Sequence, residues 1–198
     1  MLSEEKANEV IRFVFRKDAE NVLGKPVGFV RKGEENDMKV EFEKRGELEE
    51  DETRLQVIPY VLIKLEEDGK PGVLMYIRSG SESRLLRKLS LGFGGHSSVE
   101  DATVRQTACR EIKEEIGLDV NEEEMEFLGY IFSNADAVSR VHLGYVYVVN
   151  ANKGIKDIEY SEEIEKICFY DGRQGCDGTL ENWSQILIKS GIVKELLR

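Results

Sequence analysis

The clearest hydrophobic pattern lies in the middle of the chain. Residues 57–65 and 73–77 are two runs rich in apolar and β-branched side chains, and residues 66–72 between them carry turn-forming Gly and Pro. Two such runs around a polar turn predict a β-hairpin. Further strands are predicted by apolar runs at 9–15, 127–132, 141–149 and 164–170, with a polar loop over 133–140.

Two segments have helical periodicity. Residues 101–116 carry an apolar residue at every fourth position, and Gly117 follows as a suitable C-terminal cap. Residues 180–197 predict a terminal helix, whereas the charge-dense residues 31–54 predict an irregular, partly exposed region. The pattern therefore predicts an α/β (α+β) fold in which helices cover a mixed sheet. We expect residues 1–54 to be an N-terminal extension packed on a core formed by residues 55–198.

Composition narrows the range of partners. The 198 residues carry a net charge of −11, and this acidity argues against binding long nucleic acids or anionic membranes. No apolar run is long enough to span a bilayer, and residues 1–6 lack a signal-peptide pattern, which predicts a cytoplasmic protein. The three cysteines are an odd count without paired spacing, which argues against a disulfide framework or a zinc cluster.

The predicted helix 101–116 carries an unusual group of acids. Glu111, Glu114 and Glu115 share one face at the i, i+3 and i+4 positions, where they repel one another. They also lie near the helix C-terminus, where negative charge is disfavoured. A divalent cation with a preference for hard oxygen ligands, such as Mg²⁺ or Mn²⁺, would relieve both effects. Immediately upstream, the glycine-rich residues 91–96 could bring a backbone carbonyl close to such an ion.

This segment resembles the signature of the Nudix hydrolases. In that family a glycine, five residues, a glutamate and seven residues precede Arg-Glu-aliphatic-any-Glu-Glu-any-Gly-aliphatic, and residues 110–118 fit every position of the second part. The first part departs from the pattern, because counting from Gly95 leads to Asp101 and the spacer to Arg110 is one residue longer. Residues 56–60 and 91–96 also look like those of a bacterial subgroup described only as predicted phosphoesterases.

The resemblance implies a Nudix-type α/β/α sandwich and a metal-dependent hydrolase of phosphoanhydride bonds. It implies Mg²⁺ or Mn²⁺ bound by Glu111 and Glu115, then Glu114, with the Gly95 carbonyl as a further ligand. Arg110 would orient carboxylates through an ion pair. Asp101 is one candidate partner for Arg110 and neighbouring Glu100 is another, although Asp101 could equally be the helix N-cap.

Several basic residues could meet the substrate, which we expect to be a small nucleotide-type molecule. Arginine suits phosphate recognition, but a solvated loop is an equally good explanation of the basic cluster that includes Arg84 and Arg87. His96 could contact substrate or could be a structural loop histidine. The candidate substrate-binding residues are Arg78, Arg84, Arg87, His96 and Asp101.

Three other functions compete with a nucleoside diphosphate hydrolase. A non-catalytic Nudix-fold nucleotide sensor usually lacks signature glutamates, which this chain retains. An isopentenyl diphosphate isomerase needs a cysteine upstream of the helix, and Cys109 is the first cysteine here. An mRNA-decapping role conflicts with the acidity. Homodimers are common in the family, but one sequence does not identify a dimer surface.

Overall fold

The computed structural model describes residues 2–24, 27–35, 38–79 and 87–198. Within them lie ten strands and six helices. The strands are β1 (Val10–Phe15), β2 (Gly28–Arg31), β3 (Val40–Lys44), β4 (Arg54–Glu67), β5 (Lys70–Arg78), β6 (Leu89–Ser90), β7 (Gly92–Phe93), β8 (Glu126–Phe132), β9 (His142–Asn150) and β10 (Ile164–Tyr170). The helices are α1 (Glu4–Asn8), α2 (Arg16–Leu23), α3 (Arg45–Leu48), α4 (Val104–Ile116), α5 (Asn182–Ser190) and α6 (Ile192–Leu196).

The strands form one mixed sheet whose main order is β10-β5-β4-β9-β8-β2. β4 and β9 run parallel, and the other pairs along this path are antiparallel. The predicted hairpin is β4–β5, closed at Asp68-Gly69. β4 alternates its side chains between two faces, so Val61 and Ile63 pack on one side while Tyr60 and Leu62 pack on the other.

Helices cover both faces of this sheet. The apolar stripe of α4 joins the core on the face of Val61, whereas Trp183 and Leu187 of α5 and Val193 of α6 join the core on the face of Tyr60. The α/β/α sandwich with a mixed sheet is therefore confirmed. None of the helices described has the length and hydropathy needed to cross a membrane.

The N-terminal 54 residues contribute to this sheet. β1 pairs with both β3 and the start of β4, with Phe13 opposite Gln56. β2 pairs with β8 at the far edge of the sheet. Val14 of β1 and Ala19 of α2 are buried in the same core as α4.

Four predictions from the pattern need correction. Residues 31–54 are not wholly irregular, because Val40 and Phe42 alternate with charged residues in β3 and fully buried Leu48 anchors α3. The predicted terminal helix is broken at Gly191, whose φ of 86° ends α5 in a left-handed cap. The signature helix begins at Val104 and not at residue 101. Cys168 and Cys176 form a disulfide, which the odd cysteine count did not predict; β10 and the loop after it place their Cα atoms 5.7 Å apart.

Candidate active site on helix α4

Both ends of α4 are defined by local sequence. Thr103 is the N-cap, and its hydroxyl accepts a hydrogen bond from the backbone N–H of Gln106 at 3.0 Å. Gly117 ends the helix with a φ of 61°, as expected for a left-handed cap. Because Ile112 and Ile116 are fully buried, the rotation of the helix about its axis is fixed. The glutamates beside this stripe are therefore held at the edge of the core.

The three glutamates differ in exposure. Glu115 is only 7% exposed, the Glu111 side chain is 16% exposed and the Glu114 side chain is 61% exposed. Two carboxylates are thus turned inward and the third lies at the rim.

The glycine-rich loop lies directly against the two inward carboxylates. The Gly94 N–H donates to Glu115 Oε2 at 3.1 Å. A Cβ atom on Gly95 would stand 2.5 Å from Glu111 Oε2. Gly94 itself has a φ of 145°, and a Cβ there would lie 1.9 Å from the Pro59 carbonyl oxygen. The close approach of this backbone to the glutamates therefore depends on glycine at both positions.

Burial and mutual repulsion raise the pKa values of the carboxylates at this site. Burial is the main cause that raises the pKa of Glu115 to about 8, and the charges of Glu111 and Glu163 raise it further against the lowering effect of Arg78. Burial also raises the pKa of Glu111, although Arg110 opposes the shift. Holding both carboxylates ionised is therefore costly, and a cation between them would lower that cost.

Arg110 binds Asp101 and two of the glutamates. Its Nη2 lies 3.0 Å from Asp101 Oδ2, and its Nη1 lies 2.6 Å from Glu111 Oε1 and 3.2 Å from Glu114 Oε2. Thr107 also donates to Asp101 Oδ2 at 3.0 Å. Burial alone would raise the pKa of Asp101, but the hydrogen bonds from Arg110 and Thr107 hold it below its usual range.

These contacts decide between the alternatives for Asp101. It is the ion-pair partner of Arg110, whereas Glu100 is exposed. Asp101 is not the N-cap, because Thr103 takes that position. The longer spacer of the signature therefore begins at Asp101, outside the helix, which starts at Val104.

The residues present fit a magnesium-like ion. In the described part of the chain, no three His, Cys, Asp or Glu side chains converge as a ready-made cage. Mg²⁺, however, is commonly held by one or two carboxylates together with waters and substrate phosphates. The buried carboxylate of Glu115 and the largely buried carboxylate of Glu111, beside the backbone of Gly95, are a suitable set of hard oxygen donors.

Of the other basic candidates, the structure describes Arg78 and Arg87. Arg78 is close enough for its charge to lower the pKa of Glu115, and its Nη1 donates to the Tyr76 hydroxyl at 3.1 Å. Arg87 is paired with Glu165 at 3.3 Å and its side chain is 73% exposed. Arg84 lies outside the described residues.

His96 is turned into the fold. Its Nε2 lies 2.7 Å from Gln56 Oε1 and 3.2 Å from His142 Nε2. Burial, with the positive charge of Arg45, lowers its pKa well below the usual value. These contacts favour the structural alternative for His96.

Two residues near the site were missed from the sequence. Glu163, just before β10, is close enough for its charge to raise the pKa values of Glu111 and Glu115, and no motif marks it. Arg12 of β1 donates to the Asp101 carbonyl at 2.8 Å. The sequence did contain a signal for Arg12, since a charged residue inside the apolar run Val10–Phe15 needs a buried partner.

Comparison with known proteins identifies the family of this chain. The family profile described as NUDIX domain matches residues 55–182. The chain belongs to the Nudix family. The prediction of a Nudix-type hydrolase is confirmed by this match and by a solved relative, Tm1382, a protein assigned to the Nudix hydrolases. Tm1382 is 29% identical with a TM-score of 0.71, over 94% of this chain and 100% of that chain.

Two more Nudix comparisons are informative. Protein YmaB of Bacillus subtilis (strain 168) is 35% identical over 160 residues, which cover 73% of this chain and 75% of YmaB. The NUDIX domain of Shewanella oneidensis NrtR, solved in complex with ADP ribose, is 16% identical with a TM-score of 0.56, over 71% of this chain and 88% of that chain. The NrtR domain shares the fold alone.

Proposed function

We propose that this protein hydrolyses a phosphoanhydride bond in a nucleoside diphosphate linked to another moiety, with Mg²⁺ or Mn²⁺ as cofactor. The observation that carries the proposal is the position of two carboxylates, buried Glu115 and largely buried Glu111, against the backbone of Gly94 and Gly95. Helix stability gives no reason for this arrangement, because burial and repulsion both disfavour the charged forms.

In this proposal each residue of the site has a separate task. Glu111 and Glu115 hold the cation, with Glu114 at the rim and the Gly95 carbonyl as further donors. Arg110, held by Asp101, keeps the Glu111 carboxylate in place. When bound, the cation neutralises charge on the diphosphate and lowers the pKa of a coordinated water.

Among the described candidates, Arg78 is the best placed to bind a phosphate, because its charge acts on Glu115. Arg87, which is paired with Glu165, is a second candidate. The net charge of −11 favours a small nucleotide-type substrate over a long nucleic acid. A location in the cytoplasm, a homodimer, and the division into an N-terminal extension over 1–54 packed on a domain over 55–198 stay predictions.

The test is a hydrolysis screen with Mg²⁺ or Mn²⁺ over nucleotide sugars, dinucleoside polyphosphates, ADP-ribose, NADH and nucleoside triphosphates. ADP-ribose belongs in the panel because the NrtR domain was solved with it. We expect turnover of at least one compound, its loss in Glu115→Gln, and wild-type turnover in Glu123→Gln, which changes an exposed acid outside the site.

Two results would contradict the proposal. Undiminished activity in Glu115→Gln would exclude the metal role of that carboxylate. Metal-independent binding of a nucleotide without turnover would instead support the sensor function.

A further inference from the structure

Arg12 is a buried cation that reaches the site from outside the matched NUDIX region. It lies in β1 and is 7% exposed. Its Nη2 donates to the carbonyl oxygens of Asp101 at 2.8 Å and Ala102 at 3.2 Å, and its guanidinium lies 5.2 Å from the centre of the Phe42 ring. Because a buried guanidinium is costly unless it is hydrogen-bonded, these two carbonyls are its principal compensation.

The backbone of β1 holds the same loop. The Arg12 N–H donates to the Ser97 carbonyl at 2.6 Å, and the Val99 N–H donates to the Val10 carbonyl at 3.4 Å. Ile11 also forms a bridge with Ser98. The segment that leads from the glycine-rich loop to α4 is therefore attached to β1 at several successive residues.

This segment ends at Asp101, from which direct contacts lead to a proposed metal ligand. Arg12 binds the Asp101 carbonyl, the Asp101 carboxylate binds Arg110, and Arg110 binds Glu111. Asp101 stands at the irregular position of the signature, three residues before α4 begins. Since helical hydrogen bonds do not hold Asp101, its position depends on contacts from other elements.

We infer that Arg12 is a positioning residue for the hydrolytic site: by holding the carbonyls of Asp101 and Ala102, it sets the Asp101 carboxylate so that Arg110 is aligned with Glu111. The inference rests on the proposed function for its catalytic readout. It gives the N-terminal segment a task in the active site, and it explains how a signature with one extra residue keeps the Arg110 contacts.

The experiment compares Arg12→Met with Arg54→Met in the full chain. Arg54 is a matched control, because its Nη2 also donates to a carbonyl, that of Glu47 at 2.8 Å, and its guanidinium also lies over a phenylalanine ring, that of Phe13 at 5.5 Å. Both variants lose a stacked arginine near β1. Only Arg12 contacts the segment that carries Asp101.

We expect Arg12→Met to lower kcat by roughly 10- to 100-fold and to raise the Mn²⁺ concentration needed for half-maximal activity, with KM for the nucleotide little changed. Arg54→Met should lower the melting temperature while leaving both quantities near wild type. Arg12→Lys should lie between Arg12→Met and wild type, because an ammonium can reach one carbonyl but lacks the guanidinium fork. If Arg12→Met does not fold, Arg12→Lys is compared with Arg54→Lys.

A double-mutant cycle separates positioning from general destabilisation. In an Asp101→Asn background, Arg12→Met should reduce kcat far less than in wild type, because its effect passes through Asp101. Equal reductions in both backgrounds, or equal effects of Arg12→Met and Arg54→Met, would overturn the inference while leaving the proposed function intact. A wild-type protein with neither turnover nor Mn²⁺-dependent stabilisation would overturn both.

Discussion

Gly95 lies against the carboxylate of Glu111, so that a Cβ atom on residue 95 would stand 2.5 Å from Glu111 Oε2. A real Cβ atom does not approach so closely, and the carboxylate would have to move. We expect Gly95→Ala to lower kcat at least about tenfold, equivalent to about 1.4 kcal/mol of activation free energy. Steady-state kinetics with Mn²⁺ measures this change.

Gly33→Ala is the control for that experiment. A Cβ atom on residue 33 would meet no atom of the described residues within 4 Å, so the activity of Gly33→Ala should equal that of the wild type. Wild-type kinetics in Gly95→Ala would show that the position of the Glu111 carboxylate is unimportant for turnover.

The ion pair between Asp101 and Arg110 provides a second prediction. Asp101→Asn keeps the size of the side chain but removes its charge, which weakens its hold on Arg110. We expect activity to fall roughly 10- to 100-fold, with a higher Mn²⁺ requirement. Asp119→Asn is the control, because Asp119 pairs with Lys113 on the surface at 2.6 Å. Similar kinetics in the two variants would exclude an orienting role for Asp101.

The raised pKa of Glu115 predicts how the stability of the metal-free protein depends on pH. Its pKa rises from an ordinary 4.5 to about 8 in the folded protein, because burial disfavours the charged form. The stabilising contribution is therefore fully present below pH 4.5 and is lost as the pH rises through 8. In the presence of a chelator, the melting temperature of the wild type should fall relative to that of Glu115→Gln as the pH rises from 4.5 to 8.

Mn²⁺ should reverse this loss near pH 8, since it favours the ionised carboxylate. Thermal melts with chelator and with Mn²⁺ test both statements. Parallel pH profiles of wild type and Glu115→Gln in chelator would contradict the assigned burial effect.

The lowered pKa of His96 predicts the opposite dependence of stability on pH in the acid range. Its pKa lies well below the ordinary 6.5 because it is buried near Arg45 and His142. Its contribution to stability is present above pH 6.5 and is lost as the pH falls toward the lowered pKa. His96→Gln should therefore lose less stability than wild type when the pH is lowered from about 7 to 5. Denaturant titrations across this pH range measure the difference. An equal loss of stability at acid pH in His96→Gln and in the wild type would argue against a buried neutral histidine.

Local patterns predicted a large part of the fold. The α4 stripe follows from periodicity, because a helix that buries one face must repeat its apolar positions. The β4–β5 hairpin follows from two apolar runs on either side of turn-forming residues. The same approach failed for residues 31–54, where β3 gains its stability by pairing with β1. It also failed at Gly191, whose effect on the terminal helix depends on a local left-handed conformation.

The site shows the same division. The spacing of Glu111, Glu114 and Glu115 on one helix is a local property, so the signature was sufficient to identify the acidic site. Their exposures differ from 7% for Glu115 to 61% for the Glu114 side chain, and only packing against the sheet and the glycine-rich loop determines this difference.

By itself, the sequence of residues 110–118 was sufficient to predict the family from its signature. It also placed the three glutamates on one helix face, since helical spacing alone brings them together. The tertiary structure decided which acids are buried, that Asp101 and not Glu100 binds Arg110, and that Arg12 supports Asp101 from β1. The physical reason is the separation along the sequence over which each interaction acts. Helical geometry extends over four residues, whereas the hydrogen bond from Arg12 to Asp101 joins positions 89 residues apart.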